Sequence, residues 1–588
     1  MCWISGPYHS PTPVVRRAWE ACGGHLVHSA EINPRHPGQN GGVSTSPRFV
    51  ELDHNLDDQE LERRWREFHR TVRTASSGPV ARALAPLLGD DTRRRQLLNR
   101  VRPTPLTPVS REILPSESFP GGFVHQPLRG EPLAPEDVVI VPLAPGDSPA
   151  KVVEALERAL ELPSTWLLVV DDSRGWPEHH AVARRLLESA ADGDVVFADE
   201  QGENIHRPRL KPDAVGPHTL WSYNVVGRPA LLRASLVREV GGVRLEAGAA
   251  LEHDLYLRLL EAGARFIHVP EVLPGRPLHV DPLLSVDTQR VVRAALTRRS
   301  LAAEVSAGAL DSVVAWRLTP QDSPRVDIVI PTRDRLDLLR RCLDSLTSLT
   351  RYPHYRVIIC DNDSIEPATR EFFATTSHDV VACPGPFNYA AIVNAGARHG
   401  EGDFILTLNN DTVITQPDWL EQLVALAQLD DVAIVGCALV EENGTHDHDG
   451  IAIAPYPQHV RRGVNYPVVD EFISSRRDVA AVTGAVQIFS RTTFDELGGL
   501  DESLPVVMND VDFCLRAQRD GRYVVFLNDV EVTHAPSSSR GRLDPLEDRN
   551  RFVRRWGVFR ELRDPFFPPT MSVAGHSVVW VPSGTLET

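Results

Sequence analysis

VDIVIPTRDRLDLLRRCLDSLTSLTRYPHYRVIICDND (326–363) decides the fold class. VDIVIPT (326–332) is a short, almost unbroken apolar run ending near a proline, the pattern of a strand buried on both faces. RLDLLRRCLDSLTSL (335–349) spaces its leucines for one face of a helix. YRVIICDND (355–363) repeats the buried-strand pattern and stops on Asp361, Asn362 and Asp363. Continuing, FNYAAIVNAGARHG (387–400) reads as a helix and DFILTLNND (403–411) as a further strand. Strands and helices alternating in this way predict an α/β protein with a mostly parallel sheet, Rossmann-like and covered on both faces.

The pattern is played twice. VVIVPL (138–143), a helix from Ala150 to Leu162, WLLVVDD (166–172), a helix over 181–191 and DVVFAD (194–199) come first. Pro142 and Pro331 lie 331 − 142 = 189 residues apart, and Asp171 and Asp361 lie 361 − 171 = 190 apart. Further on, EVGGVRL (239–245) answers ELGGLDE (496–502), and Asp254 and Arg258 precede Asp512 and Arg516 by 258. Offsets this steady predict two related units in tandem, 136–300 and 325–545, joined by a linker over 301–324. Residues 1–130 read as an N-terminal extension, partly disordered, with a charged helix from Asp57 and proline-rich linkers. Residues 546–588 read as a C-terminal tail packing on the second unit.

Composition narrows the functional classes. The 588 residues are 42% hydrophobic and 24% charged, as in an ordinary globular chain. A net charge of 62 − 79 = −17 argues against a nucleic-acid binder, which would carry a basic face. The seven cysteines are scattered and form no C-x-x-C, so neither a disulfide framework nor a structural zinc site is expected, and a reducing cytoplasm is. No apolar run reaches membrane-spanning length, so any membrane contact is expected to be peripheral, at the inner face of the plasma membrane.

Ligands of open parallel sheets bind beyond the carboxyl ends of the strands. Three polar clusters stand there: Pro331-Thr332-Arg333-Asp334, Asp361-Asn362-Asp363, and Asn409-Asn410-Asp411. Asp and Asn are ordinary turn residues, but three clusters in order suggest one crevice. No glycine-rich phosphate loop is present, so a bound diphosphate needs charge neutralised otherwise. A divalent cation, Mg2+ or Mn2+, held by few carboxylates does this, and Asp411 is the natural ligand. Asn509-Asp510-Val511-Asp512 opens a helix, where one aspartate can cap and another face the crevice. His534 follows the strand RYVVFLNDVEV (522–532); His446, Asp447, His448 and Asp449 read as a hairpin turn, either solvated, the reading favoured, or in touch with the metal or acceptor.

These stretches together resemble a family 2 glycosyltransferase of the GT-A fold, and more narrowly the bacterial rhamnosyl- and galactofuranosyl-transferase-like enzymes of O-antigen and cell-wall polysaccharide synthesis. The carriers are IVIPTRDR (328–335), CDNDS (360–364), FNYAAIVNAGARHGEGDFILTLNNDT (387–412), AVTGAVQIFSR (481–491), ELGGLDESLP (496–505), NDVDFCLRAQRDG (509–521) and VTHAPSSSRG (532–541). The resemblance implies that the second unit is the catalytic domain and the first a degenerate copy. It implies a nucleotide-sugar donor bound by Pro331, Thr332, Asp361, Asn394, Asn410, Asp411, Gly484 and Ala485. It implies Asp411 and His534 as metal ligands, Asp510 as catalytic base, and a glycan or lipid-linked glycan as acceptor. Aligned on the repeat, Gly202 falls opposite Asp411 and Arg276 opposite His534, so the first unit would lack the metal set. Two rivals stay open: a catalytically silent polysaccharide-binding or scaffolding protein, and a nucleotidyltransferase releasing pyrophosphate.

Overall fold

The computed structural model describes residues 137–580 apart from 145, 172–178, 192, 202–207, 275–282, 455, 464–469, 536–544, 558–561, 570 and 575–576, and before them Phe49, Leu61 and Arg63–Trp65. The extension expected over 1–130 otherwise lies outside the described residues. Leu61 and Arg63–Trp65 are helical, as the charged stretch from Asp57 suggests, and Trp65 Nε1 donates to Asn550 Oδ1 at 2.8 Å.

The first unit runs β1 (Val138–Leu143), α1 (Pro149–Glu161), β2 (Trp166–Asp171), α2 (His179–Leu187), β3 (Val195–Gln201), α3 (Pro217–Ser222), β4 (Ala230–Arg233), α4 (Ala234–Glu239), α5 (Leu251–Glu261) and β5 (Phe266–Pro274). Local chemistry sets these elements. Ser148 caps α1 by accepting from Lys151 N, Pro149 supplies a helical φ at the first turn, and the buried stripe is Val152, Leu156 and Ala159. β2 is buried along its whole length, as an unbroken WLLVVD requires. The sheet order is β1-β2-β4-β3-β5.

α6 (Leu284–Arg298) and the hairpin of β6 (Ala303–Ala307) and β7 (Val314–Leu318) follow. The linker expected over 301–324 thus contains a β-hairpin. Trp316 is fully buried there and its Nε1 donates to Ser222 Oγ at 2.9 Å, so apolar area and a satisfied indole pin the connection to the first unit.

The second unit runs β8 (Val326–Thr332), α7 (Leu336–Leu349), β9 (Tyr355–Asp361), α8 (Pro367–Thr375), β10 (Asp379–Ala382), α9 (Tyr389–His399), β11 (Phe404–Leu408), β12 (Thr412–Ile414), α10 (Trp419–Ala427) and β13 (Val432–Val440). It continues with β14 (His446–His448), β15 (Ile451–Ile453), β16 (Pro457–His459), β17 (Arg477–Asp478), β18 (Val486–Ser490), α11 (Arg491–Leu497), α12 (Asn509–Ala517) and β19 (Tyr523–His534), then α13 (Leu546–Trp556). Its sheet is ordered β10-β9-β8-β11-β18-β13-β19-β12, with β14 added to β13 and β17 to β19.

Both sheets are mostly parallel, as expected, but each has a reversed interior strand. β4 runs antiparallel to β2 and β3, and β18 antiparallel to β11 and β13. ALLR and VQIFS are as apolar as their neighbours, so their composition reports burial and carries no information on direction.

The path β8-β11-β18-β13-β19 matches β1-β2-β4-β3-β5 in order and in the direction of every pairing. An irregularity recurs too: the register shifts after Ala198 in β3 and after Cys437 in β13. Trp166 pairs with Arg233 and Phe404 with Ser490, each one residue before the next helix. Asp171 therefore corresponds to Asn409 (409 − 171 = 238), and its match with Asp361 is overturned. The two strands were confused because both are apolar and end on aspartate. Among the described residues, β9 and β10, at the outer edge of the second sheet, have no counterpart in the first. The later offset holds: Arg258 Nε donates to Asp254 at 2.9 Å and on to Val240 O, while Arg516 Nε donates to Asp512 at 2.8 Å and on to Leu497 O.

One hydrophobic cluster runs through both sheets. Across the seam, Asp478 of β17 accepts from Thr219 N and Oγ1 at 3.0 Å and pairs with His218 Nδ1 at 2.6 Å, all buried. The tail touches both units: Trp556 Nε1 donates to Asp512 Oδ1 at 3.0 Å, and Ala214 N donates to Pro565 O at 2.7 Å. Among the described residues no helix is long and apolar enough to cross a membrane.

Candidate active site

The strand ends of β8, β9 and β11 meet as neighbours. Pro331 pairs with Cys360 and Thr332 with Asp361. Thr332 Oγ1 accepts from Asn410 Nδ2 at 2.9 Å, which ties β8 to the loop after β11. Asp361 Oδ1 accepts from Ser364 N at 2.9 Å, Asn362 Nδ2 donates to Cys383 O and Gly385 O, and Asp334 Oδ1 takes Ile365 N and Glu366 N at the start of α8. Asp334 and Asp363 hold left-handed φ values of 51° and 56°, which short polar side chains tolerate. The turn residues thus build a rigid rim with Asp361 half-exposed on it.

Asp411 is buried at 6% exposure, and its Oδ1 has no hydrogen-bond partner. His534 Nε2 lies 3.3 Å from that oxygen, and His534 Nδ1 lies 2.9 Å from Asp447 Oδ2. Burial disfavours charge on this imidazole, but the two carboxylates outweigh it and raise the group to about 9. Burial likewise opposes charge on Asp447, yet His534, His459 and Arg462 hold it well below the usual carboxylate range.

Asp510 opens α12 after Met508, which carries φ of 67°. Its Oδ2 accepts from Gly484 N at 2.9 Å, and its Oδ1 from Val511 N at 2.9 Å. Gly484 O accepts from Tyr389 Oη and Thr407 Oγ1, each at 2.7 Å. A Cβ on Gly484 would sit 3.1 Å from Tyr389 Oη and 3.4 Å from Asp510 Cβ, so the backbone approaches where a side chain would crowd it. Ala485 O accepts from Asn409 N at 3.0 Å.

These contacts close into a circuit. One way, Asp411 leads through Asn409 to Ala485, Gly484 and Asp510. The other way, it leads through His534 and Asp447 to His459, whose Nδ1 is 3.0 Å from Asp447 O, and on through His448 to Thr483 N, next to Gly484. Strand pairing and hydrogen bonds thus connect Pro331, Thr332, Asp361, Asn410, Asp411, Gly484, Ala485, Asp510 and His534. Asn394 does not join them. It is 1% exposed, and its carboxamide is spent on Leu500 O, Leu500 N and Glu502 Oε1 at 2.9–3.0 Å, where it clamps the loop after α11. This corrects the donor-binding role expected of it.

His446–Asp449 were also misread. Asp447 and His448 are 3% and 0% exposed, and His448 Nδ1 lies 3.3 Å from His459 Nδ1. The alternating acid and imidazole residues were the available signal, since four such groups in a row seldom serve only a turn. Among the described residues no three His, Cys, Asp or Glu side chains converge around one point.

Residues 327–497 match the family model described as glycosyl transferase family 2, and the second unit belongs to that family. The chain is similar to the O-antigen biosynthesis protein RfbC of Myxococcus xanthus, with 32% identity over 67% of this chain and 33% of that protein. It is 28% identical to the uncharacterized protein y4gI of Sinorhizobium fredii over 68% of this chain and 48% of the relative. The chain thus spans a third to about half the length of these curated relatives. Among solved structures, a mannosyltransferase from Pyrobaculum calidifontis, in complex with GDP-Man and Mn2+, is 21% identical over 38% of this chain and 60% of that one, with a TM-score of 0.30.

Proposed function

We propose that the second unit is an inverting, metal-dependent glycosyltransferase that moves a sugar from a nucleoside-diphosphate donor to a hydroxyl of a cell-surface glycan or its lipid-linked precursor. The observation that carries this reading is the circuit joining Asp411 and His534 to Asp510 within a unit that matches a glycosyltransferase family. The name of the RfbC relative supports a glycan acceptor.

Pro331, Thr332, Asp361 and Asn410 flank the nucleotide, and Gly484 and Ala485 line the junction of donor and acceptor. Asp411 and His534 hold Mg2+ or Mn2+. The fit rests on Asp411 Oδ1, a buried oxygen without a hydrogen-bond partner, facing an imidazole nitrogen. When bound, such an ion offsets charge on the departing diphosphate. Asp510 takes the proton of the acceptor hydroxyl as its oxygen bonds to the anomeric carbon. The bond to the diphosphate breaks with its electron pair on the phosphate oxygen, and attack from the opposite face inverts the centre. A positioned base of this kind contributes roughly 10²–10⁴-fold in rate. The reaction is cytoplasmic in this reading, with peripheral contact at the inner face of the plasma membrane.

The first unit is, in the same reading, a related copy whose crevice is closed. Glu252 corresponds to Asp510 (510 − 252 = 258) and Arg228 to Ala485 (485 − 228 = 257). Arg228 is buried, donates from Nε to Glu252 Oε1 at 2.7 Å and from Nη1 to Leu143 O at 3.5 Å, and lies 3.7 Å from Asp171 Oδ2. Leu143, Asp171 and Glu252 stand where Pro331, Asn409 and Asp510 stand in the second unit. One guanidinium thus fills the position that donor and base share next door. Counting on from Asp171, Ser173 falls opposite Asp411, in the undescribed stretch 172–178.

The test is a screen of the purified chain against UDP-, GDP- and dTDP-sugars with and without Mn2+, followed by thermal shift and by release of nucleoside diphosphate. A donor at 100 times its Kd should stabilise the chain by about 2.7 kcal/mol. Failure of every sugar nucleotide, or pyrophosphate release from a nucleoside triphosphate, would count against transfer.

A further inference from the structure

We propose that Asp447 is a positioning residue, which fixes His534 for cation binding and links that site through its own carbonyl to the side of the crevice held by Asp510. The inference rests on the reading of Asp411 and His534 as cation ligands.

Backbone register brings the pair together. Val440 of β13 pairs with His446 of β14 on one side and with Thr533 of β19 on the other. Asp447 sits at the register break of β14, between His446 opposite Val440 and His448 opposite Leu439, and its carboxylate reaches His534 Nδ1, one residue past Thr533, at 2.9 Å. Asp447 is 3% exposed and 3.1 Å from Arg462 Nε, so its carboxylate is buried with a charge partner of its own.

The two carboxylates favour the imidazolium when no cation is bound, so a ligating His534 gives up one proton and then has one N–H and one lone pair. An acceptor at Nδ1 keeps the proton there and leaves the lone pair on Nε2, the nitrogen that faces Asp411 Oδ1 at 3.3 Å. Without Asp447 the ring can turn or change tautomer, and the pair of ligands is no longer preset. The same residue offers its carbonyl to His459 Nδ1 at 3.0 Å, and His459 stacks edge-on against His448 with ring centres 4.8 Å apart. Thr483 N lies 3.4 Å from His448 Nε2, one residue before the Gly484 amide that holds Asp510. Asp447 thus holds His534 with its carboxylate and His459 with its carbonyl.

The experiment uses the full chain and Mn2+ alone, with the free ion followed by electron paramagnetic resonance. Asp447→Asn should weaken Mn2+ binding by about 10–100-fold, the usual cost of losing an outer carboxylate behind a ligating histidine. Asp411→Asn and His534→Gln serve as references. If both references lose Mn2+ while Asp447→Asn binds it as the wild type does, the positioning role is overturned and the cation site stands. If the references also bind as the wild type does, the underlying reading falls. Should Asp447→Asn not fold, histidine ¹⁵N NMR of the wild-type chain titrated with Mg2+ decides. A His534 ring protonated at Nδ1, with Nε2 shifting as Mg2+ is added, supports the role, and the opposite tautomer contradicts it.

Discussion

At the end of β4 stands Arg228, and at the matching end of β18 stands Ala485. On the first side a guanidinium joins Glu252 to the strand ends, and on the second a methyl group stands in its place and Asp510 accepts from Gly484 N. The strand path, the Asp–Arg pair inside the following helix and the register break after β3 and β13 are common to both. What differs is the lining. A scaffold of this kind keeps its stability when its crevice is filled by an internal ion pair, because a buried carboxylate needs a partner, and either an arginine or hydrogen bonds from the backbone can supply it. Among the described residues, the second unit adds β9 and β10, whose ends carry Asp361 and the loop at Cys383, the outer rim expected to hold a nucleotide.

The contrast can be broken from the active side. Ala485→Arg should imitate the first unit, pair with Asp510 and abolish donor binding in a chain that remains folded by circular dichroism. Retained donor-induced thermal stabilisation in the folded variant would show that the two crevices are not alike. The next largest effect is on the closed side. Arg228→Met leaves Glu252 buried without its partner and should cost about 3–5 kcal/mol in denaturant unfolding, whereas Arg228→Met with Glu252→Leu should recover most of it. A single variant as stable as the wild type would remove the ion pair from the account.

The smallest effect concerns the tail that touches both units. Asp564 accepts from Ile453 N and Phe566 N at 2.9 Å, and burial pushes its carboxyl up to about 7. The folded value exceeds the ordinary 3.8, so the unfolded chain releases this proton first. Its stabilisation is complete below about 4 and is lost as pH rises to about 7. Melting temperature should therefore fall from pH 5 to pH 8, and Asp564→Asn should flatten part of that fall. An unchanged slope in the variant would place the titration elsewhere.

Much of this was legible in the sequence, for physical reasons that also mark its limits. Apolar runs reported buried strands, and polar residues at their ends reported the rim at Thr332, Asp361 and Asp411. Direction was not legible, because β18 is as apolar as the parallel strands beside it. The repeat was legible through EVGG and ELGG, but its front half was set one strand out of step, since both β2 and β9 end on aspartate. Asn394 was misassigned because a polar residue on a helix can point at a loop as readily as at a ligand, and Leu500 takes both ends of its amide. The hairpin of His446–Asp449 was legible, but the pairing of Asp447 with His534 was not, because the two lie 87 residues apart in sequence.

The most direct test of the whole account sets Asp510→Asn beside Glu252→Gln in one assay of nucleoside diphosphate release with the donor and acceptor that the wild type uses. The account predicts a fall of about 10²–10⁴-fold for Asp510→Asn and wild-type turnover for a folded Glu252→Gln chain. Full turnover by Asp510→Asn, or its loss in Glu252→Gln alone, would contradict the account.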